Sequence, residues 1–410
     1  METSSTFLEA VHYRRSIYQF DNTSPISDAR IMEIVNTVIQ DVPSSFNSQS
    51  TRLVVLLHGE HVHAGGRGPW GQYSTLQSAG LSAGRKYLEH PAGLAAQGSV
   101  GLWWSKLTST PTSKQQNMNI APVYKIAVIQ MHSETLQVEA NFNKAVSLIR
   151  AAANQGAQLA VLPEYHLTGW APEDPTFKPA CSSWKTYLDE YRKVAKKFNI
   201  NIVPGTLVEL HDAGSESEKL LNAAYFITDK GDLAGKYVKK NLWGPVERAH
   251  LTGSAREPHQ VFDTPLGKVG LLICWDLAFP EAFRELIMQG AKLIIIPSFW
   301  LLNETSEEGR VINPVAEKLF IDSLLTGRCF ENTCGIIFAN AAGPPAQSFI
   351  GLSQVCVPFA GPLARLDWAE GMLVVDLDMS IIEEGESSYK IRADLARKDW
   401  HYDYRHTLAK

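Results

Sequence analysis

Short apolar runs alternate with amphipathic stretches along the chain from Tyr124 onward. The runs Lys125 to Met131, Leu159 to Pro163, Ile200 to Thr206 and Ala223 to Thr228 predict strands. So do Leu233 to Val238, Val261 to Thr264 and Val269 to Ile273. Asp229-Lys230-Gly231-Asp232 and Leu266-Gly267 are turn sequences and make two of these junctions hairpins. Further strands are expected at Lys292 to Pro297, Gly335 to Asn340, Leu352 to Pro358 and Met372 to Leu377. Helical spacing fills the gaps. Glu139 to Asn154 places Phe142, Val146, Ile149 and Ala153 on one face and closes at Gly156. Ser183 to Phe198, Glu281 to Gln289 and Pro314 to Arg328 read as helices as well. Strands alternating with helices, with hairpins between, predict a mixed sheet covered by helices.

The first third of the chain reads differently. Residues 1–61 carry helical spacing over Phe7 to Tyr13 and over Arg30 to Gln40, where Ile31, Ile34, Val35 and Val38 form one stripe. Ser27 is a candidate N-cap for the second helix, and Thr51 to Leu57 reads as a strand. Residues 62–121 hold no sustained period, and Glu89 is their only acidic residue. Gly, Ser, Thr, Ala and Gln dominate, which predicts a poorly ordered linker. Three regions are therefore expected: 1–61, 62–121 and 122–410.

Composition narrows the class. Of 410 residues, 45% are hydrophobic and 20% charged, which is ordinary globular composition with length for a large core. A net charge of −5 offers neither a nucleic-acid face nor a polybasic membrane patch. Five cysteines, an odd number without regular spacing, argue against a disulfide framework. The absence of a CxxC pair or His-rich tract argues against a metal site. No apolar run reaches the roughly 20 residues of a membrane span. The Met1-Glu2-Thr3-Ser4-Ser5 start lacks the basic and apolar parts of a secretory signal. A reducing, cytoplasmic setting is the expectation.

One position points at chemistry. Gly270 to Ile273 is an apolar strand that ends on Cys274, and a helix start follows within a few residues. A thiol at such a corner has backbone N–H groups nearby that favour an anion. A lone cysteine on an apolar strand is nevertheless more often a core residue. Two other strands end comparably: Leu159 to Pro163 on Glu164, and Gly235 to Val238 on Lys239. Were the three strands neighbours in one sheet, a carboxylate, an ammonium and a thiol would converge at its edge. Those are a proton acceptor, an oxyanion stabiliser and a nucleophile, the parts that acyl transfer requires.

Leu162-Pro163-Glu164, Lys236-Tyr237-Val238-Lys239 and Ile273-Cys274-Trp275-Asp276, the last followed by Phe279-Pro280-Glu281-Ala282-Phe283-Arg284, resemble the motifs of the nitrilase, or carbon–nitrogen hydrolase, superfamily. The resemblance runs from about Tyr124 to the C-terminus. It implies an α/β fold built as a four-layer αββα sandwich with a Glu–Lys–Cys site, here Glu164, Lys239 and Cys274. It also implies a second glutamate eight residues beyond the lysine, and that position is Glu247. By the same resemblance, Glu164 is the general base and Lys239 stabilises the oxyanion with the Trp275 N–H. Cys274 forms a thioester that water cleaves, and Glu247 positions substrate. Tyr165, Trp275 and Trp300 are candidate substrate-binding residues. The chain departs from many members at Val238 and Asn241, where Arg and His are common. The adjacent Lys240 leaves the register open by one residue; Lys239 is favoured because the tyrosine spacing and the Glu247 offset agree and because Lys240 would point to the opposite strand face. The resemblance implies hydrolysis of a small amide or N-carbamoyl compound with release of ammonia, or alternatively of a nitrile. It further implies homo-oligomerisation. No metal or cofactor is needed for this chemistry.

Tyr13-Arg14-Arg15-Ser16-Ile17-Tyr18 and Val42 to Ser50 resemble the start of fungal nitroreductase-like flavoproteins. That resemblance implies a small, partial α+β segment in which Arg14, Arg15 and Ser16 contact the phosphate of FMN. An FMN-dependent oxidoreductase is thus the reading from a different class. A segment this short buries little surface by itself, and is read as a vestigial or fused fragment.

Overall fold

The computed structural model describes residues 121–254 and 256–402. The elements expected over Phe7 to Leu57, the linker up to residue 120, and Arg14, Arg15 and Ser16 lie outside the described residues.

Two sheets face each other. The first contains β1 (Val123–Gln130), β2 (Leu159–Val161), β3 (Asn201–Val203), β4 (Thr206–His211), β5 (Lys219–Ile227) and β6 (Leu233–Val238). The second contains β7 (Val261–Thr264), β8 (Gly267–Leu271), β9 (Leu293–Ser298), β10 (Gly335–Asn340), β11 (Gln354–Val357) and β12 (Gly361–Arg365). β13 (Gly371–Asp378) returns to the first sheet and pairs antiparallel with β1, Ile126 opposite Val375. The strand orders are β13-β1-β2-β3-β5-β4, with β6 on β5, and β12-β11-β10-β9-β8-β7. Each sheet has a parallel centre, β1-β2-β3 in one and β8-β9-β10 in the other. The strands that carry Glu164 and Lys239 thus belong to one sheet and the strand before Cys274 to the other. The single mixed sheet read from alternation is corrected to a pair. Periodicity reports strands and their faces but not which edges pair.

Helices flank the two sheets. They are α1 (Val138–Asn154), α2 (Phe177–Cys181), α3 (Trp184–Phe198), α4 (Gly244–His250), α5 (Pro280–Met288), α6 (Glu307–Ile312), α7 (Ala316–Asn332), α8 (Met379–Tyr389) and α9 (Ile391–Leu395). Side-chain alternation along β1 shows the layering. Ala127 and Ile129 pack with Ala145 and Ile149 of α1 and with Leu188 and Tyr191 of α3. Ile126 and Val128 face the other way, into a core shared with Leu271 of β8, Ile294 of β9 and Ile336 of β10. Phe283 of α5 and Ile321 of α7 close the far side of the second sheet. The result is the four-layer αββα sandwich. Each buried Ile or Leu here contributes about 1.5–3 kcal/mol. Because both faces of the central strands are covered, they read as continuous apolar runs rather than alternating ones.

One expected strand divides. Ile200 to Thr206 breaks after Val203, and Thr206 begins β4; both pieces pair with β5. Gly205 turns the corner at φ +63°, and a Cβ there would lie 1.8 Å from the Pro163 carbonyl oxygen. Glycine is therefore required beside the bend that carries Glu164.

Candidate active site

The three candidate residues leave the sheets at adjacent strand ends. Glu164 lies just past β2, Lys239 directly follows β6, and Cys274 begins a 3-10 turn, Cys274–Ala278, beyond β8. This is the carboxyl end of the parallel strands, where open α/β sheets bind ligands. Cys274 adopts φ +47° and Tyr165 φ +55°. Left-handed backbone at a non-glycine residue costs about 1–2 kcal/mol, and here it turns two side chains out of their strand directions beside one another's sheets.

Glu164 stitches the sheets together. Its N–H donates to Ser298 O at 3.2 Å, and its Oε2 accepts the Phe299 N–H at 2.9 Å. Oε1 accepts Lys239 Nζ at 2.9 Å and Asn222 Nδ2 at 2.8 Å. Lys239 is fully buried and gives a second N–H to Glu247 Oε1 at 2.7 Å. Two of the three ammonium donors are thereby committed to carboxylates. Glu247, on the first turn of α4, also accepts the Trp243 N–H at 2.6 Å and the Tyr165 hydroxyl at 2.5 Å.

Burial sets the proton affinities. It pushes the Glu164 carboxyl up to about 7 against the pull of Lys239, with Glu247 adding to the rise. Burial, and then the Glu164 charge, push the Cys274 thiol well above its usual range, while Lys239 pulls the other way. Burial opposes the Lys239 charge, but Glu164, the Cys274 sulfur and Glu247 outweigh it and raise that group. The resting arrangement is a protonated thiol beside a carboxyl that titrates near neutrality and a fixed ammonium.

Asp276 joins the two halves. Its Oδ1 accepts Asn241 N at 3.1 Å and Asn241 Nδ2 at 2.8 Å. Its Oδ2 accepts the Tyr237 hydroxyl at 2.8 Å and the Ile273 N–H at 2.9 Å. Lys240 points away, with Nζ on the carbonyls of Ser254 and Glu257.

A cavity of about 370 Å³ reaches the thiol. Trp275 and Trp300 stand in its wall with Trp243, Phe299 and Phe320. Tyr165 is placed otherwise than expected of a substrate contact. It is not in the cavity wall but behind the cluster, with its hydroxyl on Glu247 and Asn222 and its ring stacked 4.7 Å from Trp170. A chain-based reading also missed Asn222, Glu304 and Glu317. Asn222 had a signal, being the one amide inside the apolar strand Leu220 to Ile227. Glu304 and Glu317 line the same cavity and had none.

Comparison with known proteins follows this geometry. A family model described as carbon–nitrogen hydrolase matches residues 125–386, more than half of the chain. A nitroreductase family model matches residues 11–160. Its far end overlaps β1, α1 and β2, which in the structure belong to the sandwich. A probable nitrilase of Schizosaccharomyces pombe is 29% identical over 271 residues, spanning 62% of this chain and 89% of that protein. The bovine deaminated glutathione amidase is 27% identical over 269 residues, 63% and 78% of the two chains. Among solved structures, a Nesterenkonia amidase of the nitrilase superfamily superposes with a TM-score of 0.52 at 25% identity, covering 65% of this chain and 95% of that one.

Proposed function

The chain belongs to the carbon–nitrogen hydrolase family, and we propose that it releases ammonia from a small amide or N-carbamoyl compound through a thioester on Cys274. The observation that carries this reading is Lys239, whose ammonium joins Glu164 and Glu247 behind a thiol open to a cavity.

Glu164 removes the Cys274 proton as sulfur attacks the carbonyl carbon. The third donor of Lys239 and the Trp275 N–H hold the oxyanion; Trp275 is in the first turn of the 3-10 segment, where backbone donors lack internal partners. Protonated Glu164 then gives its proton to the departing nitrogen, and ammonia leaves. Water, deprotonated by Glu164, attacks the thioester; the carboxylic acid departs and sulfur recovers its proton. Glu247 holds Lys239 in register, and Tyr165 and Asn222 hold the carboxylates. General-base help of this type contributes roughly 10²–10⁴-fold, and an oxyanion donor roughly 10²–10³-fold.

Amide hydrolysis is favoured over nitrile hydrolysis because the chain from Lys239 to Glu247 has amidase-like spacing. The test is ammonia release from a panel of aliphatic and aromatic amides, N-carbamoyl compounds and nitriles. Amides or carbamoyl compounds should be cleaved, with Cys274→Ala and Cys274→Ser inactive. Undiminished turnover by both variants would sink the mechanism, and exclusive cleavage of nitriles would replace the substrate class.

A further inference from the structure

The cavity above the thiol is both aromatic and acidic. The Trp275 ring stands 4.8 Å from Trp243 and 5.4 Å from Trp300, centroid to centroid. Phe320 meets Trp275 at 6.2 Å and Trp300 at 5.7 Å, edge to face. Two carboxylates stand in the same wall. Glu304 accepts the Trp243 indole N–H, and Glu317 accepts that of Trp300 at 2.7 Å. Each carboxylate therefore fixes one indole by its edge.

Among the described residues, no Lys or Arg lines this cavity. Lys239, behind the thiol, is committed to Glu164 and Glu247. Arg310, next to the lining loop, donates to the carbonyls of Asn303 and Thr305. Lys318 is paired with Asp322. Among the described residues, Lys239 is the ammonium beside the thiol and is held by Glu164 and Glu247, while Glu304, whose carboxyl burial raises above its usual range, and Glu317 stand in the cavity wall.

Indole faces attract cations through the ring quadrupole, most strongly when water is excluded. A hydrogen bond from the indole N–H to a carboxylate polarises the ring further in that sense. A ligand carboxylate in the same space would meet like charge and lose its hydration without compensation. An uncharged alkyl tail would bury its surface but leave the acidic edges unanswered.

We propose that this cavity is a cation-selective acyl pocket, in which Trp243, Trp275, Trp300, Glu304 and Glu317 favour amides whose far end carries an alkylammonium group. The proposal rests on the hydrolase reading for its substrate end, but the cage can be tested without turnover.

Three amides with the same four-methylene spacer separate the possibilities: 5-aminopentanamide, hexanamide and adipamic acid. Their binding to the Cys274→Ala protein is measured by calorimetry. The ammonium compound should bind about tenfold more tightly than hexanamide, and adipamic acid more weakly still. Glu304→Gln and Glu317→Gln keep an acceptor for each indole but remove the charge. Each should cut the ammonium compound's advantage several-fold and leave hexanamide binding within about twofold. The wild-type kcat/KM values should fall in the same order. Equal or tighter binding of hexanamide or adipamic acid, no measurable binding of 5-aminopentanamide, or an advantage that survives the double variant would overturn the cage. Failure of the hydrolase reading looks different: the ammonium compound binds selectively, yet the wild type releases no ammonia from it or from any other amide.

Discussion

Asn241 donates twice to one oxygen of Asp276, from its backbone at 3.1 Å and from its side-chain amide at 2.8 Å. Asn241 follows Lys239 at the end of a strand in the first sheet. Asp276 lies two positions beyond Cys274 at the edge of the second. The ammonium and the thiol are thus held in register by a carboxylate that neither of them touches. Asn241 thus serves that oxygen with both its backbone and its side-chain donor.

Asp276→Asn tests that clip. The substitution places an amide NH2 donor among donors already supplied by Asn241, Tyr237 and Ile273. Leaving such buried groups unpaired costs about 1–3 kcal/mol each. The melting temperature should fall. With the folded fraction corrected for, kcat should fall about 10–100-fold, since misplacement near 1 Å costs that much, while KM changes little. A stability loss with unchanged kcat would reduce Asp276 to a purely structural residue.

With Glu164 as the proposed base, the rate should have an acid limb. Burial holds its carboxyl at about 7, whereas an unfolded glutamate titrates near ~4.3. The base form works, so kcat/KM should rise with pH through about 7 and then level off. Stability runs the other way. The raised value adds stability below the unfolded value, and that contribution is lost as pH climbs through about 7. Glu164→Gln should abolish the limb and lower the rate by about 10³-fold. A flat profile between about pH 5 and 8 would assign the base elsewhere.

Lys239→Met removes the ammonium from a buried cluster that retains Glu164 and Glu247. Breaking a buried pair from one side costs about 3–5 kcal/mol. The expected result is a protein of lower melting temperature that gains stability as pH is lowered, because protonation of Glu164 then relieves the repulsion. Thermal melts across pH read this directly. A variant as stable as wild type at neutral pH would contradict the charged cluster.

Gly205→Ala should damage the site from outside it. The added methyl would sit 1.8 Å from the Pro163 carbonyl oxygen, at φ +63°. Pro163 precedes Glu164, so relief of the clash moves the base. A loss of at least about 2 kcal/mol in stability and a fall in kcat are expected, measured by denaturant titration and ammonia release. A neutral substitution would show that the corner yields freely.

The strands were legible because each central run is buried on both faces, as β9, Leu293–Ser298, shows. Glu164, Lys239 and Cys274 were legible as strand ends that match family motifs. Their two-sheet origin was not, since hydrophobic period carries no pairing information. β4 escaped notice because Glu209 interrupts it. That carboxylate is buried, with Lys236 at 2.7 Å and the Tyr225 hydroxyl as partners that no local pattern announces. Asp276 was quoted within a motif but had no assigned task until its four donors were visible. Tyr165 was expected in the pocket wall; its left-handed backbone turns it behind Glu247 instead. Glu304 and Glu317 come from a loop and a helix remote in sequence from the motifs, so only folding brings them to the thiol.

Covalent chemistry at Cys274 is tested most directly by mass spectrometry of enzyme quenched during turnover of a cleaved amide. The expected species is the protein plus the acyl group, the amide less ammonia, with the added mass on the peptide that contains Cys274. Steady turnover with that peptide unmodified and the acyl mass on another residue would contradict the thioester on Cys274.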